Sequence, residues 1–143
     1  MKRIRWFLGT SVLFAALVAA ACGEADPGAP TVRQVAGSYV AVVFTATSGG
    51  QTLDMLALGA SLEITLSADG RTAGRLFVPG GDEDGSDFEA DLEGTWTLEG
   101  DTVRFSHDAD TFVRDMPFHV RGGRLEGDRT FGDDRIQVVL AKR

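Results

Sequence analysis

The sequence predicts an all-β fold, an antiparallel up-and-down barrel of about eight strands, on three observations. Segments such as "SLEITLS" alternate with period two, Leu62, Ile64 and Leu66 against Ser61, Glu63, Thr65 and Ser67, as a strand buried on one face does. Turn signals rich in glycine and aspartate recur at roughly ten-residue spacing. The β reading also extends almost without interruption from position 35 to position 143.

In chain order, residues 1–21 come first and read as a secretory signal peptide. Lys2, Arg3 and Arg5 form a positive start, Trp6 to Ala21 is apolar apart from Gly9, Thr10 and Ser11, and small alanines close the run. A membrane-spanning helix needs roughly 20 predominantly apolar residues, and this run is shorter.

The chain's only cysteine, Cys22, stands at the end of that run, in "LVAAAC" followed by Gly23. These residues resemble the lipobox of bacterial lipoproteins, with Ala19 where leucine is commonest. The resemblance implies that the Cys22 thiol receives a diacylglyceryl group, that the signal is cut just before it, and that the new N-terminus is acylated. Each buried CH₂ contributes about 0.8 kcal/mol and one chain alone holds a protein marginally, so two or three chains would make attachment lasting. Gly23 in place of aspartate resembles lipoproteins released to the outer membrane, which places the expected protein there, facing the periplasm. Ordinary cleavage after the alanines, leaving a free thiol, is the alternative.

Residues 22–34 are expected to be the lipidated cysteine and a flexible tether. "GEADPGAP" has no hydrophobic period and two prolines. At roughly 3.1 to 3.5 Å per residue it reaches about 25 Å. The whole chain carries 14 Lys and Arg against 21 Asp and Glu, net −7, and loss of the signal's three bases leaves −10. Such an acidic surface disfavours nucleic acid as a partner.

The domain proper is expected over 35–143. "DLEGTWTLEG" sets Leu92, Trp96 and Leu98 on one face, "DTVRFSH" sets Val103, Phe105 and His107, and "RIQVVLAK" sets Ile136, Val138 and Leu140. "GSYVAVVFTAT" is apolar on both faces, as a strand covered on both sides would be. "RTAGRLFVP", "MPFHVRG" and "GRLEGDRTFG" add β signals broken by glycine or proline, and "TLDMLALGAS" reads as a helical turn ending at Gly59 or as the start of the second strand.

Gly37-Ser38-Tyr39 opening the first strand, "LEITLSADGRTAGRLFV" after a long connection, "GTWTLEGDTVRF" and "HVRGGRLEGD" together resemble the lipocalin-like domains of small bacterial lipoproteins. Tyr39 stands where animal lipocalins have tryptophan, and the chain ends after "LAKR" with no C-terminal helix. A β-sandwich is the alternative, because the same alternation serves it. An outer-membrane barrel fits less well, since its strands need about 9 to 11 residues.

Chemistry is sparse. Parity aims His107 inward near a barrel mouth and His119 outward, so the two are not expected to converge on a metal or act as an acid/base pair. The acidic stretch "GGDEDGSDFEADLE" lacks the spacing of a calcium loop. No enzyme activity, metal or cofactor is expected. Two classes remain: a lipid-anchored module binding a small apolar ligand, with Trp96, Phe105 and His107 lining its cavity, or a structural or interaction lipoprotein that meets another envelope protein through a barrel filled by its own side chains. Large inward residues favour filling, while Gly94, Gly127 and Arg129 favour open or polar space.

Overall fold

The computed structural model describes residues 28–143, so the stretch read as a signal peptide, Cys22 and the expected tether up to position 27 lie outside the described residues. The elements run α1 (Val32–Val35), β1 (Gly37–Ser48), β2 (Gln51–Asp54), β3 (Ser61–Leu66), β4 (Arg71–Val78), β5 (Phe88–Asp91), β6 (Gly94–Glu99), β7 (Thr102–His107), α2 (Phe112–Asp115), β8 (Phe118–Arg121), β9 (Arg124–Phe131) and β10 (Asp134–Lys142).

Eight strands close a ring in chain order, β1-β3-β4-β6-β7-β8-β9-β10, and every neighbouring pair is antiparallel. β10 returns to β1 from Tyr39↔Lys142 to Thr47↔Arg135. This is an up-and-down barrel, and its closure rules out the sandwich, which would leave the first and last strands unpaired with each other. β2 and β5 lie outside the ring, on β1 and β4.

Three sequence expectations need correction. β1 is not covered on both faces: Tyr39, Ala41 and Phe44 are buried, whereas Val42 and Val43 are exposed. A register shift against β10 between Ala41 and Val43 supplies the extra residue, so the buried face changes parity and the run looks apolar throughout. "DLEGTWTLEG" is interrupted at Leu92 and Glu93, yet β5 and β6 hold one register on β4, since Arg75 faces Asp91 and Thr72 faces Gly94. Leu92 bridges them by donating its N–H to the Gly74 carbonyl at 3.0 Å. Finally, the stretch read as tether ends in structure. Thr31 and Gln34 form a reciprocal capping box around α1, and Val35 is buried. The ambiguous segment before β3 divides: β2 takes Gln51–Asp54, and a hydrogen-bonded turn then closes at Gly59, whose φ of 98° suits a residue without Cβ.

The two ends of the barrel differ. At one end the connections are the short turns around 67–70, 100–101 and 122–123, and α1 lies across it. The Tyr39 hydroxyl donates to the Val35 carbonyl at 2.5 Å and Lys142 Nζ donates to the Gln34 carbonyl at 2.8 Å, fixing this closed end. At the other end β9 and β10 join by a short turn at 132–133, but three connections are longer, over 55–60, 79–87 and 108–117, and α2 covers part of the opening through Val113 and Met116. Between the ends lies one continuous core, with Leu62, Leu92, Val103, Phe118, Leu125, Val138 and Leu140 all at 0% exposure.

Candidate functional site

Trp96, Phe105 and His107 all fall inside the barrel, as parity indicates, but they do not gather around an open space. Trp96 is 4% exposed and donates its indole N–H to the Ser67 carbonyl at 2.8 Å, which ties it to the β3–β4 turn at the closed end. Phe105 meets Phe118 edge to face, with ring centroids 5.4 Å apart. His107 is 7% exposed and shares a hydrogen bond between Nε2 and Thr111 Oγ1, at 2.8 Å, on the way to α2.

Seven inward side chains spread around the ring have no exposed surface, so the barrel is closely packed where they meet. The two inward glycines are points of close approach. A Cβ at Gly127 would lie 2.6 Å from Met116 Cε and 2.9 Å from Phe118 Cε1, so those side chains occupy the space that the glycine vacates. A Cβ at Gly94 would lie 2.1 Å from the Ser106 carbonyl oxygen. Arg129 does not line the interior: it is exposed at the mouth, donates to the Asp115 carbonyl and stacks over Phe131. The small and polar residues that pointed to open space therefore mark tight packing and a surface contact.

Around His107 the electrostatics disfavour charge. Burial pushes its pKa down, the Arg114 guanidinium adds to that, and Asp115 and Asp108 oppose it. Nδ1 is buried and has no hydrogen-bond partner among the described residues. Arg114 itself is held between Asp110 at 2.6 Å and Asp115 at 2.9 Å. His119 belongs to the opposite end, paired in register with Thr102 and 3.7 Å from Asp101. The histidines thus do not converge, and no cluster of three metal-ligating side chains occurs among the described residues. The acidic loop is organised by its own hydrogen bonds: Asp84 accepts from Ser86 N–H at 2.9 Å and Asp87 from Gly80 N–H at 3.0 Å. Ser86 also holds the Asp84 carboxyl below the usual carboxylate range.

The feature that sequence reasoning missed is a cleft of about 240 Å³ at the open end. Phe44 and Ile136 form one wall, Leu76, Val78 and Phe88 the other, and Met55 and Phe112 reach in from connections. Phe112 packs on Phe44 with centroids 5.2 Å apart. Asp110 and Thr111 supply polar groups at the edge. Ile136 was legible as inward-facing; Met55, Phe88 and Phe112 belong to no long alternating run, and only the closed ring brings them together.

Comparison of the chain with protein-family models, with curated proteins and with solved structures finds no match in any of the three. What the described residues define is a closed eight-stranded antiparallel barrel with a buried hydrophobic core and an apolar cleft at one mouth.

Proposed function

We propose that this protein is a lipid-anchored component of a bacterial cell envelope, outer-membrane bound and facing the periplasm, whose barrel is a solid scaffold. Recognition then belongs to the open end and not to the interior. The single observation that supports this is the set of inward side chains with no exposed surface at all, because a carrier that encloses its ligand keeps a chamber for it. The anchor rests on "LVAAAC" and Gly23, and the closed end is where the chain enters the described domain. We read the protein as non-catalytic, since His107 and His119 sit at opposite ends of the barrel.

A small-ligand reading keeps one specific support, the mouth cleft with its apolar walls. Mass spectrometry of the mature N-terminus tests the anchor: a diacylglyceryl-modified Cys22 peptide is expected, and Cys22→Ser should release the domain from the membrane fraction. A mature chain that begins elsewhere, or carries a free thiol, contradicts it. Recovery of the protein solely with inner-membrane markers on a sucrose gradient contradicts the outer-membrane placement.

A further inference from the structure

The mouth cleft combines apolar walls with a rim in which acids outnumber bases. Phe44, Leu76, Val78, Phe88 and Ile136 face each other across about 240 Å³, and an apolar cavity of about 150 Å³ already accommodates benzene. The floor continues outward, because Ala46 and Ile136 also border a neighbouring hollow that reaches the half-exposed Leu53. A single ring or a short alkyl chain fits this shape.

The connections at this end carry a marked excess of acid. Asp54, Asp82, Asp84, Asp108 and Asp134 stand in or beside them, while Gly81 of the acidic loop and Asp110 line the cleft itself. The bases at this end are each engaged: Arg114 by Asp110 and Asp115, Arg129 by the Asp115 carbonyl, and Arg135 by Asp128. The closed end is different: Arg33, Arg71, Arg121, Arg124, Lys142 and Arg143 are found there against Asp69, Glu99, Asp101 and Glu126. Among the described residues the excess of acid thus lies around this apolar opening, where low-dielectric walls focus its field on an occupant. An anion with the same apolar body would meet like charge on entering.

We propose that this cleft binds a cationic amphiphile, a small molecule in which one apolar ring or short chain carries an ammonium group. The apolar part lies between Phe44 and Val78 and the ammonium stays at the rim, where it remains solvated and meets the carboxylates. This deepens the recognition assigned to the open end and does not rest on the lipid anchor at Cys22.

The test uses the processed protein as isolated from cells, in zwitterionic nanodiscs if it carries lipid, with labelled methyl groups on Met, Val and Ile. Phenethylamine, phenethyl alcohol and phenylpropanoate are titrated in turn. The expected result is saturable perturbation of the Met55, Val78 and Ile136 methyls by the amine, with affinity at least about ten-fold above that for the carboxylate and falling as salt is raised. Asn substitution at Asp82, Asp84 and Asp108 should bring the amine to the affinity of the alcohol, and Ala46→Phe should abolish binding by filling the cleft. Equal binding of amine and carboxylate, equal binding of amine and alcohol to the unaltered protein, or perturbation centred on other methyls would overturn the proposal. So would saturation by a basic apolar peptide but not by the amine. The methyl readout is independent of where the chain is anchored, so its failure is distinguishable from failure of the lipoprotein reading.

Discussion

The two ends of this barrel are made from the same kind of strand and differ in what joins them. At the closed end two-residue and four-residue turns leave no slack, α1 lies across the opening, and Trp96 is pinned to the Ser67 carbonyl. At the open end the connections are long enough to carry α2 and the acidic loop, and they meet around a cleft instead of a core. Short turns cost little loop-closure entropy and hold register; long connections give up that rigidity, and it is there that recognition surfaces are usually built. The difference teaches that the loops, and not the strands, set what each end of the barrel presents.

Substitutions should separate the two ends, and the largest effect belongs to the closed one. Trp96→Ala removes a buried indole and its hydrogen bond to the Ser67 carbonyl, which keeps the Gly70 N–H as a donor, and should cost about 3 to 5 kcal/mol in urea unfolding. Gly94→Ala comes next. Its Cβ would meet the backbone oxygen of Ser106, which cannot swing aside as a side chain can, so a loss of about 1 to 3 kcal/mol is expected from the denaturation midpoint.

A smaller, pH-dependent effect belongs to His107. Its folded pKa lies below the unfolded value, so the unfolded chain takes up a proton first as pH falls. Stability should therefore be level above the unfolded pKa near 6.5, decline as pH drops below it, and level off again below the folded pKa. His107→Gln should flatten that part of the profile, and urea midpoints measured between pH 5 and pH 7.5 check it. Thermal unfolding of Ala46→Phe should show the smallest change, under about 1 kcal/mol, because the added ring enters the open cleft and displaces no packed atoms. If Ala46→Phe destabilises as strongly as Trp96→Ala, the contrast between the ends is wrong.

The ring itself was readable where one face of a strand meets the core and the other meets water. Leu62, Ile64 and Leu66, or Val103, Phe105 and His107, announce their burial by period two alone, and the glycine-rich turns mark where each strand stops. β1 defeats that reading because one extra residue between Ala41 and Val43 switches parity in mid-strand, and a bulge has no periodic signature. α1 carried a signal, Thr31 with Gln34 three residues later, but four helical residues are too few for a hydrophobic period to appear. Gly94 and Gly127 misled in an instructive way: a missing side chain signals space only if no neighbour fills it, and here Ser106, Met116 and Phe118 do. The mouth cleft was hidden for a related reason, since Met55, Phe88 and Phe112 come from separate connections and become neighbours only after the ring closes.

Ligand titration read by the emission of Trp96 tests most directly whether the interior is solid. The chain has two tryptophans and Trp6 lies in the stretch read as a signal peptide, so cleavage before Cys22, as proposed, leaves Trp96 to report alone. A filled barrel predicts no saturable change in its emission with fatty acids, isoprenoids or haem, even at concentrations where carriers of these molecules are saturated. Saturable quenching or a spectral shift with any of them would mean that the core opens to admit a ligand, and would contradict the account.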